Sequence, residues 1–367
     1  MGMTNIKSVS RNTWLTLCAS LAGIILLFVI EENFDRFTMQ IFKLCAINVI
    51  LALSLNLING FTGLFSLGHA GFMGIGAYTC ALLAMTPAQK EANFILQPIV
   101  PWLLDVHLPF LPALLASGLV AGLLGWLLGV VAMRLRDDYL AIATLGFSEI
   151  IRVVLTNAQP ITNGSLGLKG LPRYTTMWWA WGSAIVVTVF LVLLIKSSYG
   201  RAFKSIRDNE IASEAMGINV FGMKVLSFAI SSFLAGIAGG LLAHYLTTID
   251  PKQFFFLKTF DILLIVVLGG VGSITGSIIA AIAVTASMEL LRFLDGPLNF
   301  GFMVTSGTPG LRMVFFSALL MIVVIFRQQG LMGTSEFSWD ALARIGLLPR
   351  RKRSHRSNGK TGKERVE

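Results

Sequence analysis

The sequence predicts an all-α polytopic membrane protein with about ten transmembrane helices, Gly-rich broken or re-entrant segments, and both termini in the cytoplasm. The first observation is composition: of 367 residues, 55% are apolar and only 13% are charged, whereas about a quarter of the residues of a typical soluble domain are charged. The second is the length of the apolar runs, since a helix needs about 17 to 25 residues to cross a hydrocarbon core. The third is the concentration of Lys and Arg in alternate loops.

Ten apolar runs are candidates for membrane crossing. In chain order they are residues 14–30, 39–58, 63–85, 109–133, 139–156, 177–195, 223–246, 258–270, 276–294 and 311–326. The eighth run is too short to cross alone, so it is either a re-entrant segment or a tilted partner of the ninth. The first run has no small-residue cleavage site after it, which favours a retained helix over a signal peptide.

Basic residues fix the orientation, because short loops rich in Lys and Arg stay in the cytoplasm. With the N-terminus inside, ten crossings place 18 Lys and Arg residues in cytoplasmic segments and 5 in external ones. Residues 1–340 then form the transmembrane domain, with a long internal loop at 196–222, and residues 341–367 form a basic cytoplasmic tail that we expect to be disordered. The tail carries most of the net charge of +10. That local charge favours contact with anionic membrane lipid over nucleic acid.

The sequence carries no pattern typical of catalysis, nucleotide binding or metal binding. Residues 359–361 are Gly-Lys-Thr, but Ser354 stands where a phosphate-binding loop needs glycine. The four histidines have no Cys, Asp or Glu at a metal-binding spacing. The three cysteines all lie in predicted spans, which argues against structural disulfides. We therefore expect a protein that is not an enzyme and that itself binds no cofactor or metal.

Two charged pairs lie within predicted spans. Glu149 precedes Arg152 by three residues, and Glu289 precedes Arg292 by the same interval, so each pair shares one helix face. Mutual neutralisation is the simpler interpretation. A role in an ion pathway is the alternative, because ionisable groups are costly in hydrocarbon.

Glycine is used in two ways. Pairs at an interval of four residues, such as Gly236 and Gly240, are typical of closely packed membrane helices. The segments "NGFTGLFSLGHAGFMGIG" and "LGGVGSITGS" instead mix glycine with polar residues at span junctions. Irregular backbone inside a membrane is tolerated where protein or water satisfies its polar groups, and broken helices near the midplane are typical of a translocation path. The predicted path residues are Asn56, Asn59, Gly60, Ser66, Gly68, His69, Gly269, Gly270, Gly272 and Ser273.

The external loop 157–172 is rich in Pro, Asn and Gly, which predicts ordered turns. It is either a plain connector or an outer gate and docking surface. The residues of that second interpretation are Thr162, Asn163, Gly164 and Ser165.

The internal loop contains a short amphipathic helix from Asp208 to Met216. Its apolar positions recur at intervals of three and four. Asp208 or Asn209 is suited to cap its N-terminus, and Gly217 is suited to end it. We expect Ser213 elsewhere on the helix surface, away from the apolar side. Such a short helix is marginal alone in water, so its apolar face requires its own membrane domain, lipid or a partner protein.

Five segments, in order, resemble one known family, the LivM-type permease subunits of bacterial branched-chain amino-acid ABC importers. The resemblance covers roughly residues 39–330. The segments are "SLNLINGFTGLFSLGHAGFMGIGAY", "DDYLAIATLGFSEIIRVV", "TNGSLGLKGLP", "GRAFKSIRDNEIASEAMGINV" and "VVLGGVGSITG".

The resemblance implies a multi-pass subunit of the bacterial inner membrane that pairs with a second, homologous permease. Two cytoplasmic ATPase subunits, which hold ATP and Mg²⁺, would drive the pair, and an extracytoplasmic binding protein would deliver the solute. The loop that matches this family's coupling helix would dock on an ATPase. Its residues here are Lys204, Ser205, Ile206, Arg207, Asp208, Asn209, Glu210, Ile211, Ala212, Ala215, Met216 and Gly217.

Three other functions stay open at this stage. Related permeases carry urea, sugars or other small polar solutes. An ion-coupled secondary transporter would need an unpaired acidic residue near the midplane, for which Glu149 is the candidate. A membrane-embedded enzyme would need a catalytic cluster, and the sequence offers none.

Overall fold

Helices make up most of the chain that the computed structural model describes. Residues 35–135 and 137–295 are described, together with 298–299, 304–305 and single positions between 310 and 336. All belong to one unit within residues 27–336. The helices are α1 (Arg36–Asn56), α2 (His69–Ala84), α3 (Pro87–Asn93), α4 (Pro101–Leu104), α5 (Phe110–Ala132), α6 (Asp137–Asn157), α7 (Gln159–Thr162), α8 (Met177–Lys196), α9 (Ser198–Asp208), α10 (Glu210–Ala215), α11 (Val220–Leu246), α12 (Leu257–Gly269) and α13 (Ile274–Leu290).

Shorter elements connect these helices. A π-helical turn, Leu57–Thr62, extends α1, and two short antiparallel strand pairs occur among the described residues. The 3₁₀ turns are Gly164–Leu166, Pro251–Phe254 and Leu291–Asp295, and the strands are β1 (Leu168–Lys169), β2 (Thr248–Ile249), β3 (Leu298–Asn299) and β4 (Val304–Thr305). β1 pairs with β2, and β3 pairs with β4.

Five described helical segments are long and apolar enough to cross a membrane. They are Arg36–Thr62, Phe110–Ala132, Tyr139–Asn157, Met177–Lys196 and Val220–Leu246. They coincide with five predicted runs and confirm a helical polytopic membrane protein. The predicted run 14–30, most of 311–326 and the tail 341–367 lie outside the described residues.

The predicted run 63–85 differs from the structure, because helix begins only at His69. The chain leaves the π-helical turn at Gly63, whose φ is 78°, and residues 63–68 are not helical. Side chains provide hydrogen-bond partners for this non-helical backbone. The N–H of Ser66 donates to Asn59 Oδ1 at 3.2 Å, and that of Leu67 donates to Thr144 Oγ1 at 3.0 Å. The sequence therefore predicted the irregularity, but not that it removes six residues from the helix.

The eighth and ninth runs form two short helices joined by a tight turn. α12 has 13 residues and α13 has 17. Gly270 and Gly272 in the turn have φ angles of 113° and 85°, which residues other than glycine rarely adopt. α12 is too short to cross a membrane alone.

α2, α5 and α11 pack against one another through small residues. A Cβ added to Gly76 would lie 2.2 Å from the carbonyl oxygen of Gly236, and one added to Gly236 would lie 2.5 Å from the Cβ of Ala121. Because these distances leave no room for a side chain, the helix backbones meet directly. The packing interpretation of the glycine pairs is confirmed here.

Both charged pairs inside predicted spans are ion pairs. Arg152 Nε lies 2.8 Å from Glu149 Oε2, and Arg292 lies 3.8 Å from Glu289. Mutual neutralisation is therefore confirmed. Glu149 is not the unpaired acid that an ion-coupled mechanism would need.

Lys90 anchors the segment between α2 and α5. Its side chain is fully buried, and Nζ donates to the carbonyl oxygens of Leu103 and Val106 at 2.7 and 2.5 Å. Burial lowers the pKa of this ammonium group, and the carboxylate of Asp105 partly opposes that shift.

Candidate coupling and translocation site

The loop 196–222 contains two helices, α9 and α10, where the sequence predicted one. α9 ends at Asp208, the backbone of Asn209 is extended (φ −161°, ψ 110°), and α10 begins at Glu210. The predicted helix from Asp208 to Met216 corresponds to α10, which begins two residues later than predicted because Asp208 belongs to α9. The physical reason is the cap itself: Asn209 Oδ1 accepts from the N–H of Ala212 at 2.9 Å, and this geometry requires a non-helical residue at the cap position.

The two ends of α10 otherwise follow the sequence prediction. Asn209 is the N-cap, and Glu210 lies in the first turn, where the helix dipole favours a carboxylate. Gly217 follows the helix with a φ of 82°. Its N–H donates to Glu214 O at 2.9 Å, and the N–H of Ile218 donates to Ser213 O at 3.1 Å. These two bonds form a Schellman motif that fixes the C-terminal end of α10.

α9 and α10 present their apolar residues in opposite ways. Phe203 and Ile206 of α9 are buried against the membrane domain. Ile211 and Met216 are 82% and 83% exposed, and the two alanines of the predicted apolar side are exposed as well. α10 therefore carries an uncovered apolar surface, which we call the docking face and define as Ile211, Ala212, Ala215 and Met216.

Ser213 lies on the buried side of α10, contrary to the sequence prediction. It is only 1% exposed. Its Oγ donates to Asn209 O at 2.8 Å and lies 2.6 Å from Ser205 Oγ, so it joins α10 to α9. Glu210 adds a second link, because its carboxylate accepts from Lys224 Nζ at 2.6 Å. α10 is thus fixed to α9 and α11 while its docking face stays uncovered.

Arg207 connects this loop to the glycine-rich break after α1. Its guanidinium bonds the neighbouring Asp208 carboxylate at 2.9 and 3.0 Å, and NH1 donates to the carbonyl oxygen of Gly60 at 3.2 Å. NH1 also lies against Gly272, at 3.1 Å from where a Cβ would be. Lys204 places its ammonium group 5.7 Å from the centre of the Phe61 ring, within cation–π range.

Asn56 joins the break after α1 to the turn between α12 and α13. It is fully buried. Its Nδ2 donates to Ser273 O at 2.9 Å and to Ser277 Oγ at 2.8 Å, and its Oδ1 accepts from the N–H of Gly272 at 2.8 Å. We call the set of Asn56, Gly60, Arg207, Gly272 and Ser273 the coupling junction.

The coupling junction brings together four predicted path residues and one predicted coupling residue. Gly60 and Gly272 touch so closely that a Cβ on Gly60 would lie 2.4 Å from the N of Gly272. Both lie at helix ends next to Arg207, rather than half-way along a helix. Movement of α9 would therefore act directly on the ends of α1, α12 and α13.

The remaining predicted path residues form separate contacts. Ser66 Oγ accepts from the N–H of Gly68 at 3.4 Å, and His69 Nε2 lies 2.7 Å from Ser54 Oγ. Asn59 Nδ2 is buried and has no hydrogen-bond partner in the described part of the chain. Gly269 packs on Gly276, and Gly270 packs on Gly333. Their role in a path stays a prediction.

The segment from Thr162 to Ser165 is an ordered turn. Thr162 Oγ1 donates to Leu155 O at 2.6 Å, and Asn163, in the left-handed region with φ of 60°, donates to Gly167 O at 2.7 Å. Gly164 is also left-handed, and Ser165 is exposed. The pairing of β1 with β2 fixes this turn to the end of α11.

Sequence reasoning missed several partners of these residues. Gly63 packs on Arg207, Ser277 accepts from Asn56, and Ser54 contacts His69. Their shared signal is a small or hydroxyl-bearing residue inside an apolar helix, which also occurs at many positions without such a role.

Known proteins similar to this chain are transport permeases. The family model described as "Branched-chain amino acid transport system / permease component" matches residues 37–324. The permease protein LivM of the high-affinity branched-chain amino acid transport system of Escherichia coli strain K12 is 32% identical, over 81% of this chain and 70% of the relative.

Two further relatives are more distant. The LivH permease of the same kind of system in Salmonella typhimurium is 24% identical, over 83% of this chain and 98% of the relative. The ribose import permease RbsC of Haemophilus influenzae is 28% identical, over 60% of this chain and 70% of the relative. None of the solved structures compared matches this chain.

Proposed function

Because this chain belongs to the family of permease components of branched-chain amino acid transport systems, we propose that it is the membrane-spanning permease subunit of a binding-protein-dependent ABC importer for leucine, isoleucine and valine. The energy comes from ATP hydrolysis in partner subunits, which hold ATP and Mg²⁺. This chain forms the path and converts the motion of those subunits into a change of the membrane helices.

One observation carries this proposal: a fixed helix with an uncovered apolar face lies directly beside the coupling junction. The docking face exposes two large apolar side chains, Ile211 and Met216. An exposed apolar patch of this kind marks a protein interface. Arg207, three residues before the first residue of α10, donates to the carbonyl oxygen of Gly60. A protein bound at the docking face thus acts on the glycine-rich breaks through a few rigid contacts.

The proposed assembly has five components, of which this chain is one. A second, homologous permease completes the membrane part, and the existence of LivM and LivH relatives supports such a pair. Two cytoplasmic ATPase subunits bind at the docking face and at its counterpart on the second permease, and an extracytoplasmic binding protein delivers the solute. The turn from Thr162 to Ser165 is the proposed outer gate or contact for that binding protein.

We propose ten crossings of the bacterial inner membrane with both termini in the cytoplasm. The concentration of Lys and Arg in residues 196–222 and in the tail supports that orientation. It places the docking face inside and Ser165 outside. ATP hydrolysis and solute delivery then occur on the sides that an importer requires.

The branched-chain amino acids are favoured as solutes by the description of the matching family model and by the name of the LivM relative, which is 32% identical. The ribose import permease supports a second candidate, a small polar solute such as a sugar, but it covers only 60% of this chain. In both cases the mechanism of coupling is the same.

Uptake into proteoliposomes tests the proposed function. The complete complex, with ATP enclosed, is expected to accumulate labelled leucine only when the binding protein is added outside. Leucine uptake that needs an ion gradient and no ATP would overturn the proposal in favour of a secondary transporter. Uptake of ribose but not leucine would show that the substrate is a sugar and would leave the proposed coupling mechanism unchanged.

A further inference from the structure

A cavity lies between α1, α12 and α13, at a place that the sequence motifs did not indicate. Its volume is about 450 Å³, within the range of about 300 to 1,000 Å³ that small-molecule sites occupy. Phe316 and Ser317 close one side. The lining is mainly apolar with a few polar groups, which is the usual composition of a binding site.

Three charged residues, of both signs, line the cavity. Lys258 and Asp261 of α12 form an ion pair with a distance of 3.5 Å, and their side chains are 35% and 57% exposed. Glu289 of α13 lines the same cavity, with its carboxylate 3.8 Å from Arg292. Exposed ion pairs of this kind contribute little to stability, so a charged ligand can replace the bond between Lys258 and Asp261 at small cost.

Aliphatic side chains from the same three helices make up much of the lining. Ile262 and Ile265 of α12 and Val284 of α13 are buried, and Leu44 of α1 also lines the cavity. Asn48 Nδ2 donates to Thr285 Oγ1 at 2.8 Å, which ties α1 to α13 at the level of the cavity. The cavity therefore combines charged groups of both signs with aliphatic side chains.

The charged residues of the cavity and the coupling junction lie toward opposite ends of α12. α12 runs from Lys258 at the cavity to Gly269 at the turn that Asn56 holds. Eleven residues of α helix span roughly 17 Å. Under the proposed orientation, the cavity is near the external side and the junction is on the cytoplasmic side.

We propose that this cavity is the site where the permease first receives an aliphatic amino acid, an inference that rests on the proposed function. The α-carboxylate binds Lys258, the α-ammonium group binds Asp261 and Glu289, and the branched side chain contacts Ile262, Ile265 and Val284. A zwitterion with an aliphatic side chain matches all three groups, whereas a neutral sugar would leave the charged residues without charged ligands.

Neutral variants test the site in the reconstituted complex. Lys258→Gln and Glu289→Gln are each expected to lower the rate of leucine uptake at least tenfold at saturating binding protein. Lys252→Gln and Glu91→Gln make the same changes at exposed positions outside the cavity, and they are expected to keep wild-type rates. The amount of assembled complex, measured by copurification of the partners, is expected to be unchanged in all four variants.

A charge exchange separates ligand binding from a structural ion pair. The double variant Lys258→Asp with Asp261→Lys keeps both charges and their pairing. If the pair only stabilises α12, the double variant restores uptake to the wild-type rate, and the proposal fails. If the pair binds the zwitterion between Lys258 and the two acids, uptake stays at least tenfold reduced.

The outcomes also distinguish the site from the proposed function. If the wild-type complex takes up no leucine, the importer proposal itself fails. If the wild type transports leucine and Lys258→Gln and Glu289→Gln transport it equally well, the importer proposal stands and the cavity is not its substrate site.

Discussion

Leucine uptake is expected to fall by about two orders of magnitude when Ala212 is replaced by arginine, because the docking face would then carry an unpaired charge. Ala212 is exposed, so the longer side chain does not disturb the packing of α10. Burying an unpaired guanidinium in an apolar groove costs several kcal/mol, and each 1.4 kcal/mol is a factor of about ten in affinity. Stimulation of ATP hydrolysis by the loaded binding protein is expected to disappear together with uptake.

Ala92→Arg is the matched control for this variant. Ala92 is an exposed alanine in α3, which lies outside the loop of α9 and α10. Its replacement is expected to leave uptake, ATP hydrolysis and membrane level unchanged. Equal uptake by the Ala212→Arg and Ala92→Arg variants would show that the docking face is not an energetic part of the interface.

Arg207→Gln is expected to separate ATP hydrolysis from transport. The shorter, neutral side chain loses the bond to the carbonyl oxygen of Gly60 and the contact with Gly272, which join α9 to the breaks after α1 and α12. A charge-assisted hydrogen bond of this kind contributes about 1.5 to 3 kcal/mol, so uptake is expected to fall roughly tenfold or more. The docking face is untouched, and ATP hydrolysis is therefore expected to continue.

The control for Arg207 is available on the same helix. Arg201 is exposed, and its guanidinium donates to Ser198 Oγ and to the carbonyl oxygen of Lys196, which lie three and five residues earlier in the chain. Arg201→Gln removes the same charge without touching the coupling junction. If both variants transport leucine at the same rate, Arg207 does not transmit motion to the membrane helices.

Local signals in the sequence predicted the parts of this structure that depend on neighbouring residues. Apolar runs predicted the five long helices, and the spacing of three residues between Glu and Arg predicted both ion pairs. Asn209 and Gly217 end α10 as their side chain and backbone preferences indicate. Each of these features depends on residues that are close together in the chain.

Contacts between distant residues were beyond sequence reasoning. Asn56 and Ser273 are 217 residues apart, and Arg207 and Gly60 are 147 apart. The glycines and polar residues of the two breaks were recognised as a group, but nothing in one sequence shows that they meet each other and Arg207. The burial of Ser213 was also not predicted, because it depends on how α10 packs against Ser205 of the preceding helix.

The cavity shows a further limit of motif analysis. Lys258 and Asp261 open a short helix and resemble ordinary terminal charges in the sequence. Only the packing of α1, α12 and α13 places them beside Glu289 and several aliphatic side chains. Of the two charged pairs recognised in the sequence, Glu289 with Arg292 borders this cavity, whereas Glu149 and Arg152 form an ion pair elsewhere, with a distance of 2.8 Å.

Cross-linking at the docking face tests the central claim most directly. In a complex whose permease has its three native cysteines replaced, Met216→Cys and Ala212→Cys are each treated with a short thiol-to-amine reagent. Both positions are exposed on the docking face, and both are expected to link to an ATPase subunit. The control is Lys252→Cys, exposed in the turn that follows β2, which is expected to give no such product. Absence of any link from the exposed positions of α10 to an ATPase subunit, in a complex that transports leucine, would contradict the account.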